Sequence, residues 1–119
     1  MSTSQRAQDL SEHVIELLYQ ELEAEQGDVL VCQAALSCVE NEELRDTWER
    51  HLQETERHVV LLTGLLEELG LDPDQETPGR RRVRAISFAL IRSILLGLGG
   101  DRALVLASKS ADEFELRLN

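Results

Sequence analysis

Between two long runs of helical periodicity the chain reads Ser37-Cys38-Val39-Glu40-Asn41-Glu42-Glu43-Leu44, and this stretch decides the fold. Asn41 is a natural helix N-cap, because its side-chain carbonyl can accept a backbone N–H that a first helical turn leaves unpaired. Glu42 and Glu43 then suit the positive end of the new helix dipole. With only Glu40-Asn41 as connection, the helices on either side must be antiparallel neighbours.

Working outward, the first helix is expected from about Asp9 to Val39, with Asp9 or Ser11 capping its start. Its apolar residues recur at Val14, Leu18, Leu22, Val29, Cys32, Leu36 and Val39, in steps near three and four. Gly27 falls inside this pattern at a cost of up to about 1 kcal/mol relative to Ala. It either permits a close helix approach or is simply tolerated. The second helix carries an inward stripe of Leu44, Trp48, His51, Thr55, His58, Leu62, Leu65 and Leu69, widened by Leu52, Val59 and Leu66. Gly70 reads as its C′ residue, and Pro73 prevents continuation.

A loop over residues 71–77 closes on Thr77-Pro78, an N-cap followed by proline at the first helical position. A third helix follows from roughly Pro78 to Leu96. Gly97, Gly99 and Gly100 break it, Asp101 caps again, and a last helix reaches about Leu118. The chain is thus expected to be one all-α domain over 1–119: a long antiparallel hairpin plus shorter C-terminal helices. Four-helix bundles usually have helices of similar length, so a partner subunit, or a helix missing from this chain, is expected in the fourth place. Ile86, Phe88, Leu90, Ile91, Ile94, Leu95 and Leu96 make the third helix apolar on most faces. A homodimer or higher oligomer is expected to cover them.

The bulk numbers agree. At 119 residues, with 42% apolar and 29% charged residues, the chain suits one globular domain and not disorder. Phe88, Phe114, Trp48 and Tyr19 are its only aromatics, so the core is aliphatic, which favours helices over strands. Net charge is −11 and unevenly spread: residues 1–76 hold 19 acids against four basic residues, residues 77–119 four against eight. The acidic front half repels phosphate backbones, so nucleic acid is not an expected partner. Cys32 and Cys38 lie six apart, about 9 Å along a helix, too far for an unstrained disulfide. Both read as buried small hydrophobes in a reducing compartment. Met1–Arg6 is polar with no apolar signal core behind it. Arg84 and Arg92 interrupt the most apolar stretch, Val83–Leu98, which falls short of a span. A cytoplasmic protein is expected.

One constellation could carry chemistry. Glu25 interrupts the apolar stripe of the first helix, where an unpaired buried charge is expensive. Counting from the turn, it is level with about residues 55–57, near Glu54 and His58, which share a helical surface at i and i+4. His51 lies one heptad before His58. A divalent cation would turn repelling carboxylates into ligands, and mixed carboxylate–imidazole ligation suits iron, manganese or zinc. Di-iron bundles use a Glu from each of two helices and a Glu-x-x-His pair from each of the others. Two copies of Glu25, Glu54 and His58, facing one another, would supply four carboxylates and two imidazoles. The strict Glu-x-x-His spacing is absent, since Thr55 stands three before His58.

The stretches Tyr19-Gln20-Glu21-Leu22-Glu23-Ala24-Glu25-Gln26, Asn41-Glu42-Glu43-Leu44 and His51-Leu52-Gln53-Glu54-Thr55 resemble the front half of the YciF-like ferritin-like bacterial proteins. Leu62–Gly70 before Leu71-Asp72-Pro73 is similar to the end of their second helix, so the resemblance covers about residues 15–75. It implies a ferritin-like bundle, commonly dimeric, with a di-metal centre and a stress-linked role. Carried onto this chain, Glu25 is the ligand of the first helix and Glu54 of the second, with His58 beside it. His51 is a direct or indirect ligand, and Glu115 is the C-terminal carboxylate nearest a suitable face.

Other motifs are weaker. Ser108 and Ser110 have no nearby His to activate them. Gly97-Leu98-Gly99-Gly100 follows no strand and is not a nucleotide loop. Arg80, Arg81, Arg82 and Arg84 could touch an anionic membrane, but the acidic hairpin is their more obvious partner. Two functions follow as expectations: a metal-binding ferritin-like protein that stores or oxidises iron, or a metal-free helical module that oligomerises.

Overall fold

The computed structural model describes residues 11–97. They form three α-helices: α1 (Glu12–Cys38), α2 (Glu42–Glu68) and α3 (Pro78–Leu95). The described residues contain no strand, and no helix among them is long and apolar enough to cross a membrane. The expected last helix from Asp101 to Leu118, and Glu115 within it, lie outside the described residues.

Each boundary has a local cause. The Ser11 hydroxyl accepts from Val14 N–H at 3.2 Å and caps α1. Asn41 Oδ1 accepts from Leu44 N–H at 3.0 Å, and Arg45 donates to Val39 O at 2.7 Å, pinning the turn between α1 and α2. α2 ends at Gly70, whose φ of 77° is left-handed. There Gly70 N–H donates to Glu67 O and Leu71 N–H to Leu66 O, the reciprocal pair of a Schellman end. Leu71 then packs beside Leu66. Thr77 caps α3 by accepting from Arg80 N–H at 3.0 Å, with Pro78 at the first helical position. α3 closes at Leu95, one residue before the expected Leu96, and Gly97 turns at φ 68°.

α1 is the central helix. It runs antiparallel to α2, as paired residues on the two helices show (Asp28 with His51, Glu25 with His58). It runs parallel to α3, since Glu16 meets Thr77, Glu23 meets Arg80 and Cys38 approaches Ile94. α2 and α3 both pack on α1 and barely touch one another. The α1–α3 approach is close because Gly27 has no side chain: a Cβ there would sit 2.7 Å from Ser87 Cβ. Of the two roles open to Gly27, the structure selects close approach.

The apolar core is split in two. One cluster gathers Val31, Cys32, Ala35, Val39, Trp48 and Ile94 near the α1–α2 turn. The other gathers Tyr19, Leu22 and Leu66 toward the opposite end. Between them α1 buries Glu23, Glu25 and Asp28, only 6%, 4% and 5% exposed. Two expectations about burial are corrected. Cys38 is exposed: as the last residue of α1 it lies at the open end of the bundle, with only its thiol reaching Ile94 O at 4.0 Å, while Cys32 is fully buried. On α2 the buried line runs Trp48, Thr55, Leu66, leaving Leu65 and His58 at its exposed margin.

Candidate functional site

The site is the polar belt that separates the two apolar clusters. Glu21, Glu25, Asp28 and Cys32 recur on α1 in steps of four, three and four, which keeps them on one face. That face meets His51, Thr55 and His58 of α2, spaced four and three in the opposite direction. The short Glu40-Asn41 connection fixes the register that puts these groups at one height.

Asp28 is the hub. Its Oδ2 lies 2.7 Å from His51 Nε2 and 3.2 Å from the Thr55 hydroxyl, which donates to it or, at 2.8 Å, to His51 O. Its Oδ1 accepts from the Cys32 thiol at 3.9 Å. The donor atoms of Asp28, Cys32 and His51 all lie within 4.8 Å of one another. Trp48 meets the His51 ring edge-on, with centroids 6.2 Å apart, and limits its orientation.

One helical turn away sits a second group. Glu25 Oε2 is 3.4 Å from His58 Nδ1, within ion-pair reach but not hydrogen-bonded, and Glu21 Oε2 is likewise buried with no hydrogen-bond partner. Burial pushes the Glu25 carboxyl up to about 7; the nearby Glu21 and Asp28 charges and a hydrogen bond to Glu21 add to this, against the pull of His51. Glu21 is also raised, again by burial first, while the hydrogen bond from Glu25 opposes the rise. Both carboxyls therefore hold a proton more readily than a solvated acid does, with burial as the main cause. His58 is half-exposed and forms the solvent edge of the group.

The other flank of the belt is neutralised differently. Glu23 is held by Arg80 Nε at 2.9 Å and by Arg84 at 2.9 Å, and Arg84 also forks onto Glu76. Arg80, itself buried, donates to Pro73 O, Gln75 O and Gln26 and stacks on Tyr19, so it clamps the α2–α3 loop onto α1. Of the four clustered arginines, Arg80 and Arg84 pair with the acidic hairpin through Glu23, as expected. A cleft of about 400 Å³ opens beside it, but its guanidiniums are already matched by Glu23 and Glu76, which leaves no surplus positive charge for an anion.

Of the residues singled out from sequence, Glu25, His51 and His58 are brought together. Glu54 is not: it is exposed, about 100° round the helix from buried Thr55, whereas His58 stands about 60° away on the same side. Its i+4 spacing to His58 keeps the two near one another but puts Glu54 beyond the seam. Glu115 lies outside the described residues. Sequence reading missed Glu21, Asp28 and Cys32. The signal was the spacing of 21, 25, 28 and 32, which repeats the period of the apolar stripe with polar residues.

The fold and this site define a class: an all-helical domain with a belt of buried carboxylates faced by histidines. Within that class the chain belongs to the domain-of-unknown-function family DUF892, whose model matches residues 9–91. No curated protein and no solved structure matches the chain closely enough to be informative.

Proposed function

We propose that the protein is a ferritin-like domain that binds a divalent cation in the α1–α2 seam, with Glu25 and His58 as direct ligands and Glu21 beside them. The observation that carries this reading is the pair of buried carboxylate oxygens, on Glu21 and Glu25, that no donor satisfies. A buried carboxyl beside a partly buried one, both with a raised affinity for protons, is a costly arrangement in a scaffold. A cation removes both the repulsion and the unmet hydrogen-bonding capacity. Carboxylate–imidazole donors suit iron, with manganese or zinc as alternatives.

When bound, iron supplies one-electron chemistry with an oxidant such as dioxygen or peroxide, which is the basis of iron oxidation or storage in a stress response. The chain's own part is positional. Glu25 holds the ion from the buried side, Glu21 carries the second negative charge, and Leu22 and Val59 limit water at one end of the group. His58, at the solvent edge, is the point of entry. The test is an anaerobic Fe(II) titration of the full chain, with Mn(II) run in parallel because it disfavours sulfur ligands. Binding by the wild type should weaken by at least about tenfold in Glu25→Gln and in His58→Ala. Wild-type binding no tighter than that of the variants removes the reading.

A second reading, a metal-free helical module that oligomerises, is favoured by one observation. Val60, Leu61, Phe88, Leu95 and Leu96 are each more than half exposed on α2 and α3. A second copy would cover these side chains, and it is the occupant expected from the sequence. Light scattering at micromolar concentration should give a dimer or larger species that chelator does not dissociate. A monomer would dispose of this reading without touching the first.

A further inference from the structure

We propose that Asp28, Cys32 and His51 form a second cation site in the same seam, one whose thiolate selects a zinc-class ion over a hard one. It is independent of the Glu25–His58 site and uses none of its ligands.

The geometry comes first. Asp28 and Cys32 stand four apart on α1 and His51 reaches across from α2, so two helices supply three donors of three kinds: oxygen, sulfur and nitrogen. With these atoms within 4.8 Å of one another, a point between them lies close to ligand distance from each. Zinc-type ligation needs about 2.3 Å to sulfur and about 2.0–2.2 Å to nitrogen or oxygen, so even at that outer limit the side chains close in by less than about 1 Å. Asp28 and Cys32 are almost wholly buried and sit on helices fixed by the Trp48 cluster, so little ordering remains for binding to enforce.

The chemistry follows from the donor set. In the metal-free fold the Asp28 carboxylate is hydrogen-bonded by Cys32, Thr55 and His51. Binding replaces the Cys32 thiol proton, which leaves to solvent, with the ion. His51 coordinates through Nε2 as the neutral ring: the Nε2 proton that bonds Asp28 in the metal-free fold is given up to solvent, and the ring holds its one remaining proton on Nδ1, taken from solvent where it was not already there. Asp28 and the Cys32 thiolate then carry two negative charges against the ion's two positive ones. Thr55 Oγ1, 3.2 Å from Asp28 Oδ2, remains as a hydrogen-bond donor that orients the carboxylate. Three protein ligands leave the fourth tetrahedral position to water, which enters past the partly exposed His51 ring. A thiolate ligand favours zinc and its spectroscopic substitute cobalt(II) over manganese.

The experiment is a Co(II) titration of the reduced full-length chain under anaerobic conditions. The expected result is a thiolate-to-cobalt charge-transfer band in the ultraviolet, with visible ligand-field bands of tetrahedral intensity that one equivalent of Zn(II) erases. Cys38→Ser should retain the band. Cys32→Ser should lose it and weaken Zn(II) binding by at least about 100-fold, more than loss of an outer partner costs. His51→Gln, at a partly exposed position and with circular dichroism unchanged, should lose tight binding in the same way. Glu25→Gln and His58→Ala should keep the band even where they abolish Fe(II) binding, so the two sites stand or fall separately. A missing band in the wild type, or one that survives Cys32→Ser, overturns the proposal and leaves Asp28 as a hydrogen-bond hub alone.

Discussion

Replacing Glu25 by Gln should make the metal-free protein more stable at pH 8.5 and change its stability much less, by under about 1 kcal/mol, at pH 5. Glu25 titrates near 7 in the folded chain, against about 4.5 for an unburied carboxyl, chiefly because burial disfavours its charged form. An acid whose folded-state value is raised stabilises the fold fully below the unfolded value, and that stability is lost as pH rises through the folded one. The wild type therefore pays for a buried carboxylate above about pH 7, and the ceiling on this cost is about 3 kcal/mol. The His58 imidazole 3.4 Å away and local relaxation reduce it, so about 1–3 kcal/mol is expected. Gln keeps the volume and can donate to Glu21 as the protonated acid does, which isolates the charge. Urea unfolding of both proteins in chelator, at pH 5 and pH 8.5, reads the difference directly. Added Fe(II), kept anaerobic, should raise the wild type more than the variant at pH 8.5, because the ion stabilises more the chain that binds it more tightly. Equal stability of the two proteins at both pH values, or a variant less stable at pH 8.5, would refute the burial argument for Glu25.

Arg80→Ala should cost about 3–5 kcal/mol, because it strips a buried Glu23 of one guanidinium and leaves two loop carbonyls without donors. Arg80→Lys should recover only part of this, since an ammonium cannot match the fork, and urea midpoints will rank the three proteins. Gly27→Ala should cost about 1–3 kcal/mol through its collision with Ser87, and Ser87→Gly in the same chain should restore much of it. An additive double variant in thermal unfolding would mean that the two residues do not meet. Asn41→Ala should lower stability by about 1 kcal/mol by removing the cap on α2, with no change in cation affinity in the titrations above.

The fold was legible because its boundaries are chemical. Ser11, Asn41 and Thr77 cap helices, Gly70 and Gly97 end them, and each acts within a few residues of itself, so no tertiary knowledge is needed. The site was legible only where charge breaks an apolar pattern. Glu25 stood out between Leu22 and Val29, and His51 and His58 lay in the stripe of α2. Asp28 did not stand out, because an aspartate three residues after a glutamate on an acidic helix reads as solvated surface. Cys32 fits the apolar stripe and reads as core, which its burial satisfies without revealing the hydrogen bond to Asp28. The deeper obstacle is that α1 is covered on two sides. A helix buried by two neighbours has no single polar face, so periodicity alone cannot tell a buried acid from an exposed one. Glu54 failed for the complementary reason. Spacing of i and i+4 guarantees proximity to His58, but His58 is already at the margin, and one further step of the same sign leaves the seam.

The belt solves one electrostatic problem in two ways, and the difference bears on function. On the α3 side the buried acid is a single glutamate, matched by two guanidiniums that never lose their charge. That arrangement holds the loop and α3 in place and has no capacity left for a ligand. On the α2 side three acids, Glu21, Glu25 and Asp28, face two imidazoles, which even when both are charged cannot neutralise all of them. A helix hairpin that needed only stability could have repeated the arginine arrangement, since the same α1 turn already carries it on its other face. Instead the seam keeps a negative surplus, two unsatisfied oxygens and a thiol at ligand spacing. A fold tolerates such a deficit of positive charge at a cost in stability, which a proton on Glu25 offsets below about pH 7 and which the proposed divalent cation would offset above it.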